Sequence, residues 1–537
     1  MRDDDIALES ATTSSVTHPR VLVASAMAKS TSPAAADFWA TLVTFRRDMH
    51  QHPETGFNEF RTQSQVMEFL IDIAKIPEAD IRKAATTGLI VDIAGTGTDC
   101  TTQREHQPPS CDCVDTVALR ADLDALPMTE DNADLPWRSQ NVGVAHMCGH
   151  DGHCASLLGI AWLLSLNRSR IPQGKKVRLL FQPAEEGSTP GTGGFDYDRT
   201  GGGGAVPLMD DGCLEGVDEI YGWHNWPAFP LGEVRVKEGG VMACEHEWTV
   251  TVTGRGGHGS QPHATVDPIV AGSAIVSSLQ TIVSRNVPSF QNAVVSVCKF
   301  HGGEVNNVIP NSAVLGGTIR TVDVDTERIV TRRFVELVCG VGESFGCEVG
   351  VELVNVNPLL SNWRGPTQCV RRCAEKLRGA EGLLKVNEVS EMGLPLLAGE
   401  DFARYVQQTP GCYFFLGTSE PFAKKLAAVD FVRGTEHAEK RRKLAAETAA
   451  MTPISRTNCI CHAVNYDFND NVLPRAVAML LKVVEDRLGL GTDFLFAGEA
   501  ALNDFVKPVE DLAELNGLWK QQPKFTSCPP CGSKRRS

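Results

Sequence analysis

Apolar residues recur at helical spacing over residues 37–50, where Phe38, Leu42, Phe45 and Met49 share one face. A second amphipathic stretch covers about 63–73. Three strand-like segments follow: GLIVDIAG near 88–95, VDTVALRADLD near 114–124 and KKVRLLFQ at 175–182. Between the last two lies ASLLGIAWLLSL at 155–166, the pattern of a buried helix. Near-continuous apolar strands alternating with helices predict a mostly parallel sheet covered by helices, an α/β fold.

The pattern changes over 244–358. EWTVTVTG reads as a strand, DPIVAGSAIVSSLQTIVSR as a helix, and NAVVSVCKFHGG and AVLGGTIRT as two strands. ERIVTRRFVELVCGVGESFG then reads as a helix and CEVGVELVNV as a strand. This β-α-β-β-α-β order predicts a ferredoxin-like α+β unit inserted into the larger domain. The expected organisation is a loose tail over 1–33, a first catalytic part over 34–243, the inserted unit over 244–358, a second catalytic part over 359–490 and a C-terminal tail over 491–537. Three stretches read as insertions: the polar, Pro-rich 98–113, the Gly-rich 188–204, and 420–456 with its charged run EHAEKRRKLAAETAA. That run reads as a solvated helix face.

Composition narrows the function. Of 537 residues, 42% are apolar and 22% charged, which excludes a mostly disordered chain. No run of ~18 apolar residues occurs, so no transmembrane helix is expected. Net charge is −15, from 51 Lys and Arg against 66 Asp and Glu. Neither nucleic acid nor an anionic membrane is an expected partner of so acidic a chain. The 17 Cys are scattered through a long chain whose first residues lack an apolar signal core. Reduced thiols and a cytoplasmic location are expected, with import into an organelle left open. One CPPC pair, Cys528 and Cys531, has no second pair to make a zinc site, and reads as structural or accidental.

Candidate chemistry sits in short motifs. HMCGHDGH at 146–153 places Cys148 and His150 two apart around a glycine, at the mouth of the expected helix. A thiolate and an imidazole this close can bind a divalent ion, or the thiolate can bridge two. Alone, the pair equally fits a packed thiol beside a hydrogen-bonded histidine. FQPAEEG at 181–187 puts Glu185 and Glu186 just past a strand. Adjacent side chains there point apart, so one carboxylate can face a metal and the other a water. His224 in GWHNWP is read at another strand end, and His462 opens HAVNYDFND. Cys148, His150, Glu186, His224 and His462 suit two metal ions sharing a bridge, an arrangement for metal-assisted hydrolysis. His50, His52, His153 and His263 are read as local hydrogen-bonding groups, and Cys459 and Cys461 as packing residues.

These motifs resemble the aminoacylase-type amidohydrolases of the co-catalytic metallopeptidase superfamily. The similar branch holds N-acyl-L-amino-acid amidohydrolases, hippurate hydrolases and plant auxin–amino-acid-conjugate hydrolases. The resemblance covers about 36–488. It also rests on HQHPETGFNEFRT at 50–62, ALRADLDALPMTE at 118–130, VTGRGGHGSQPHATVDPI at 252–269, NNVIPNSAVLGGTIRT at 306–321 and GEDFA at 399–403. It implies that Cys148, His150, Glu186, His224 and His462 hold two divalent ions, zinc or manganese. It implies that Glu185 is the general base and that His258 stabilises the oxyanion, in some relatives from the partner subunit. Asn307 and Arg320 would contact substrate, and Asp124 would support the metal ligands. A homodimer is expected, with the inserted unit as lid and dimerisation domain.

The expected reaction is hydrolysis of the amide bond of an N-acyl amino acid or a small peptide-like conjugate. Other readings are a carboxypeptidase or dipeptidase of the same superfamily, an inactive binding or scaffold homologue, and a thiol-redox protein.

Overall fold

The computed structural model describes residues 35–97, 113–188, 201–379, 386–420 and 459–490. Most of the three expected insertions, the tails and the CPPC pair lie outside these residues.

The chain opens with helices α1 (Ala35–Gln51) and α2 (Phe60–Glu68). Strands β1 (Ile81–Ala84), β2 (Gly88–Ala94) and β3 (Thr116–Asp122) follow, then α3 (His150–Leu166), β4 (Lys176–Gln182), the short α4 (Ala205–Asp210), β5 (Glu219–Pro230) and β6 (Glu233–Arg235). A second group comes next: β7 (Cys244–Thr253), α5 (Pro268–Thr281), β8 (Ala293–Gly302), β9 (Ser312–Thr321), α6 (Val324–Ser344) and β10 (Glu348–Asn357). The chain then returns through α7 (Arg364–Arg378), β11 (Glu388–Ser390), α8 (Ala403–Val406), β12 (Gly411–Ser419) and α9 (Leu473–Leu488).

The large sheet has the order β1-β2-β4-β3-β5-β12-β6-β11. Its centre, β4-β3-β5-β12, is parallel. The strands β1, β2 and β6 run antiparallel to their inward neighbours, so the sheet is mixed, with a parallel middle. The middle strands are covered on both faces, which is why β3 is buried along its whole length. On one face α1, α3 and α9 pack with Phe38, Leu42, Trp162 and Val477 in the core. On the other face Leu208, Phe402, Tyr405 and Tyr413 form a second cluster.

The helix expected at 155–166 begins five residues earlier, at His150. Its first turn, HDGH, is polar yet buried, so an apolar window misses it. His224 is not at a strand end. β5 runs to Pro230 because it pairs with β12 as far as Ser419.

The second group forms an antiparallel sheet ordered β8-β9-β7-β10 with α5 and α6 packed on it. This is the β-α-β-β-α-β pattern that the hydrophobic periodicity predicts. Both helices start at an aspartate cap: Asp267 accepts from the amides of Ile269 and Val270, and Asp323 from that of Thr326.

Candidate metal centre

The parallel middle of the sheet delivers the site. β3 ends in Asp122 and leads to Asp124, β4 ends in Gln182 and leads to Glu185 and Glu186, and α3 opens with His150. Ligand groups gather at the carboxyl ends of parallel strands in folds of this kind. Gly149, between Cys148 and His150, has φ +101, a left-handed conformation that suits glycine. A Cβ there would lie 2.2 Å from Asn225 Oδ1, so the turn that presents both ligands excludes any larger residue.

Two triads of donor atoms converge. Cys148, His150 and His224 form one, with Cys148 Sγ 3.3 Å from His224 Nε2. Cys148, Glu186 and His462 form the other, with His462 Nε2 3.1 Å from Glu186 Oε1. The sulfur is common to both, the position a bridging thiolate takes. All five expected ligands are therefore brought together, although His462 is exposed and lies 238 residues beyond His224.

Neighbouring groups aim the ligands. His150 Nδ1 meets the carbonyl oxygen of Asp124 at 3.0 Å and Asp124 Oδ1 at 3.2 Å. Asp124 Oδ2 also accepts from the amide of Glu186 at 2.8 Å. His224 Nδ1 donates to the carbonyl of Asn225 at 2.6 Å. These contacts fix the imidazoles of His150 and His224 with Nε2 turned to the centre, as outer partners of metal-binding histidines do. Ala184 (φ 51) and His462 (φ 67) are non-glycine residues at positive φ. Such strain collects at functional sites. It is held by Glu59, which accepts from the Ala184 amide, and by Met147, whose carbonyl accepts from the His462 amide.

One observation tests whether a metal fits. His150 Nε2 is buried without a hydrogen-bond partner. Its nearest carboxylates, Glu185 Oε2 at 3.7 Å, Asp122 Oδ2 at 3.8 Å and Glu186 Oε1 at 3.9 Å, stand back from it. Burial works against a charged His150, but Asp122, Asp124 and Glu186 outweigh it and push the group up to about 10. Surroundings that hold a proton so firmly also favour a cation in its place. With a thiolate, three imidazoles and a carboxylate converging, the donor set fits two divalent ions.

Glu185 is set apart from the ligands. Its side chain is 9% exposed. Burial and the carboxylates of Glu400, Glu186 and Asp401 raise it well above the usual carboxylate range. Behind it lies a buried network that the motifs did not reveal. Arg120 pairs with Asp122 at 2.6 Å and with Glu400 and Asp401 at 3.0 Å. Gln182 donates to Asp401, and Asp122 Oδ1 lies 2.7 Å from His153 Nδ1. A signal existed: Arg120, Asp122 and Asp124 interrupt an otherwise apolar strand, and charges that deep must be paired.

His50 and His153 do hydrogen-bond, but to partners distant in sequence rather than local ones: Asp151 at 2.9 Å and Asp122 at 2.7 Å. His52 meets the Asp48 carbonyl. Cys461 Sγ lies 3.6 Å from the carbonyl oxygen of Cys148. Three expected residues lie apart from the cluster. His258 is exposed, with Nδ1 2.8 Å from Ser260 Oγ. Among the described residues no hydrogen bond or ion pair ties it to the metal ligands. Asn307 neighbours it, accepting from the Gly259 amide through its carbonyl. Arg320 is already paired, to Glu245 at 2.5 Å and to the Leu397 carbonyl at 3.2 Å.

Comparison with known proteins places the chain in a family. The model of peptidase family M20/M25/M40 matches residues 118–430. An N-acetyl-L-cysteine deacetylase of Bacillus subtilis is 38% identical over 70% of this chain and 80% of its own length. An N-acetyldiaminopimelate deacetylase of Listeria welshimeri is 34% identical over 71% of this chain and 91% of its own. A thermostable carboxypeptidase of Saccharolobus solfataricus is 35% identical over 70% and 86%. Among solved structures, a dinuclear metal-binding M20 peptidase of Bacillus subtilis aligns with a TM-score of 0.61 and 25% identity, covering 85% of this chain and all of the other. The chain belongs to peptidase family M20/M25/M40, on its aminoacylase-type amidohydrolase branch.

Proposed function

We propose that this centre hydrolyses the amide bond of N-acyl L-amino acids, releasing a carboxylic acid and a free amino acid. The observation that carries the reading is the shared sulfur of Cys148, with Glu185 beside the two triads but outside both. His150 and His224 would hold one divalent ion, Glu186 and His462 the other, and Cys148 both. Zinc and manganese each suit a set of thiolate, imidazole and carboxylate. Bound there, the ions would supply Lewis-acid polarisation of the amide carbonyl and a more acidic water.

The protein's own groups do the rest. Glu185 takes the proton of the attacking water on its carboxylate and returns it to the leaving amine nitrogen. Arg120, through Asp122, Glu400 and Asp401, keeps the floor of the site charged and rigid.

His258 would donate to the oxyanion from the partner subunit of a homodimer. Its exposure and its lack of a bond to the centre support a role across an interface. The unit over 244–358 would serve as lid and dimerisation domain between the catalytic parts 34–243 and 359–490. Asn307 and Arg320 would meet the substrate, with Arg320 exchanging Glu245 for the substrate carboxylate, a planar fork-to-fork pair.

The 35% relative named as a carboxypeptidase supports a second reading, release of a C-terminal amino acid from a peptide. The deciding experiment is a panel assay on metal-reconstituted protein. It compares N-acetyl and longer N-acyl amino acids, their C-terminal amides, and dipeptides with a free amine. Turnover confined to N-acyl free acids supports the first reading. Turnover confined to dipeptides supports the second and rejects the first.

A further inference from the structure

A second group of metal-type donors lies at the root of the smaller sheet. Cys244 and His246 are two apart on β7, so their side chains share a face. Asn355 on β10 lies directly across from His246. Glu327 reaches in from the first turn of α6. Cys244 Sγ is 3.5 Å from His246 Nε2, and His246 Nε2 is 2.9 Å from Glu327 Oε1. Asn355 Nδ2 is 3.3 Å from both the sulfur and Nε2. Cys244 and His246 are buried, and Glu327 and Asn355 half-buried.

We propose that Cys244, His246 and Glu327, with Asn355 completing the set, form a binding site for a soft divalent cation such as zinc, separate from the centre around Cys148. Tetrahedral zinc with bonds of ~2.3 Å to sulfur and ~2.0 Å to nitrogen separates those two atoms by about 3.6 Å. The observed 3.5 Å matches. The nitrogen–oxygen edge needs about 3.3 Å on the same geometry. Glu327 therefore has only to draw back from its 2.9 Å contact.

The hydrogen bonds of the cluster leave it unsatisfied. His246 Nδ1 and Asn355 Oδ1 are buried without a partner among the described residues. A carboxamide presents nearly the same shape either way round. Turned over, Asn355 would aim its oxygen at the point the other three donors surround. Thiolate, imidazole and carboxylate together carry two negative charges, which one divalent ion neutralises. On binding, the Cys244 thiol gives its proton to buffer as the sulfur–metal bond forms.

A cleft of about 1130 Å³ borders the cluster, with Glu327, Asn355, Arg404 and Gln407 in its lining. Arg404, in α8, donates to the carbonyls of Asn355 and Val356 at 3.2 and 3.1 Å. An ion here would tie β7, β10 and α6 together at the end of the small sheet that faces the large one.

The test counts zinc by elemental analysis in zinc-loaded, desalted full-length protein. Cys244→Ser and Glu327→Gln should each lose about one zinc per chain, with amide hydrolysis unchanged. A Cys148→Ala/His150→Ala variant should keep that zinc and lose it when Cys244→Ser is added. Because this background lacks two proposed ligands of the catalytic centre, the result does not depend on the two-ion reading there. In the same background zinc should raise Tm, and Glu327→Gln, which preserves size, should abolish the rise. Full zinc content in both Cys244→Ser and Glu327→Gln, or a zinc-induced rise in Tm that survives Glu327→Gln, would overturn the proposal.

Discussion

Glu59 links backbone strain to the metal centre. Its carboxylate accepts from the amide of Ala184 and from the hydroxyl of Thr87 at 2.9 and 2.5 Å. Burial, and then the nearby Asp124, push it up to about 8. The native state thus holds this proton more tightly than the unfolded chain. The associated stability is present below the ordinary carboxylate range and drains away as pH rises through about 8. Glu59→Gln should flatten that decline, on the order of a few kcal/mol by pH 9. Urea unfolding of metal-loaded protein from pH 5 to 9 measures it, and parallel profiles for both proteins would refute it. The five candidate ligands and Glu185 were legible in the sequence because each stands out as a polar residue within a short, distinctive motif. The network around Arg120 was not, because its partners Glu400 and Asp401 lie 280 and 281 residues away. Nothing local in GEDFA shows that its two acids turn inward to one guanidinium.

At the scale of elements, the turn before α3 sets two ligands at once. Gly149→Ala would meet Asn225 Oδ1 at 2.2 Å and force a residue with a side chain to φ +101. The strain alone costs ~1–3 kcal/mol. Cys148 and His150 would shift together, so bound metal should fall as well. Gly174→Ala is the control: φ is +89, but the space around it is open. It should lower Tm and leave metal content intact. Equal metal content in the two variants would separate Gly149 from ligand placement. The alternation of the smaller sheet was readable because its strands keep one covered face, as in β7, where every second residue from Cys244 is buried. The extent of β5 was not, because it depends on hydrogen bonds to β12, some 190 residues later. The start of α3 was hidden for a related reason: Asp151 and His153 are polar residues buried by long-range pairing to Arg46 and Asp122.

At the scale of the whole molecule, the placement of His258 raises the question of assembly. If it acts across a dimer, His258→Ala and Glu185→Gln should each be nearly inactive alone. Mixed under subunit exchange they should regain activity, since one site of the heterodimer then has Glu185 in one chain and His258 in the other. No recovery in a sample shown to contain heterodimers would confine His258 to its own subunit or remove it from catalysis. The described residues include no helix long and apolar enough to cross a membrane. The proposed hydrolysis depends on the division of labour between the two adjacent glutamates. The most direct measurement takes turnover and metal content from one preparation of Glu185→Gln. The substitution keeps shape and hydrogen bonding but removes the proton acceptor. Turnover should fall by ~10² or more, the usual scale for a lost general base, while metal content matches the parent protein. Loss of metal together with turnover, or turnover left intact, would contradict the account.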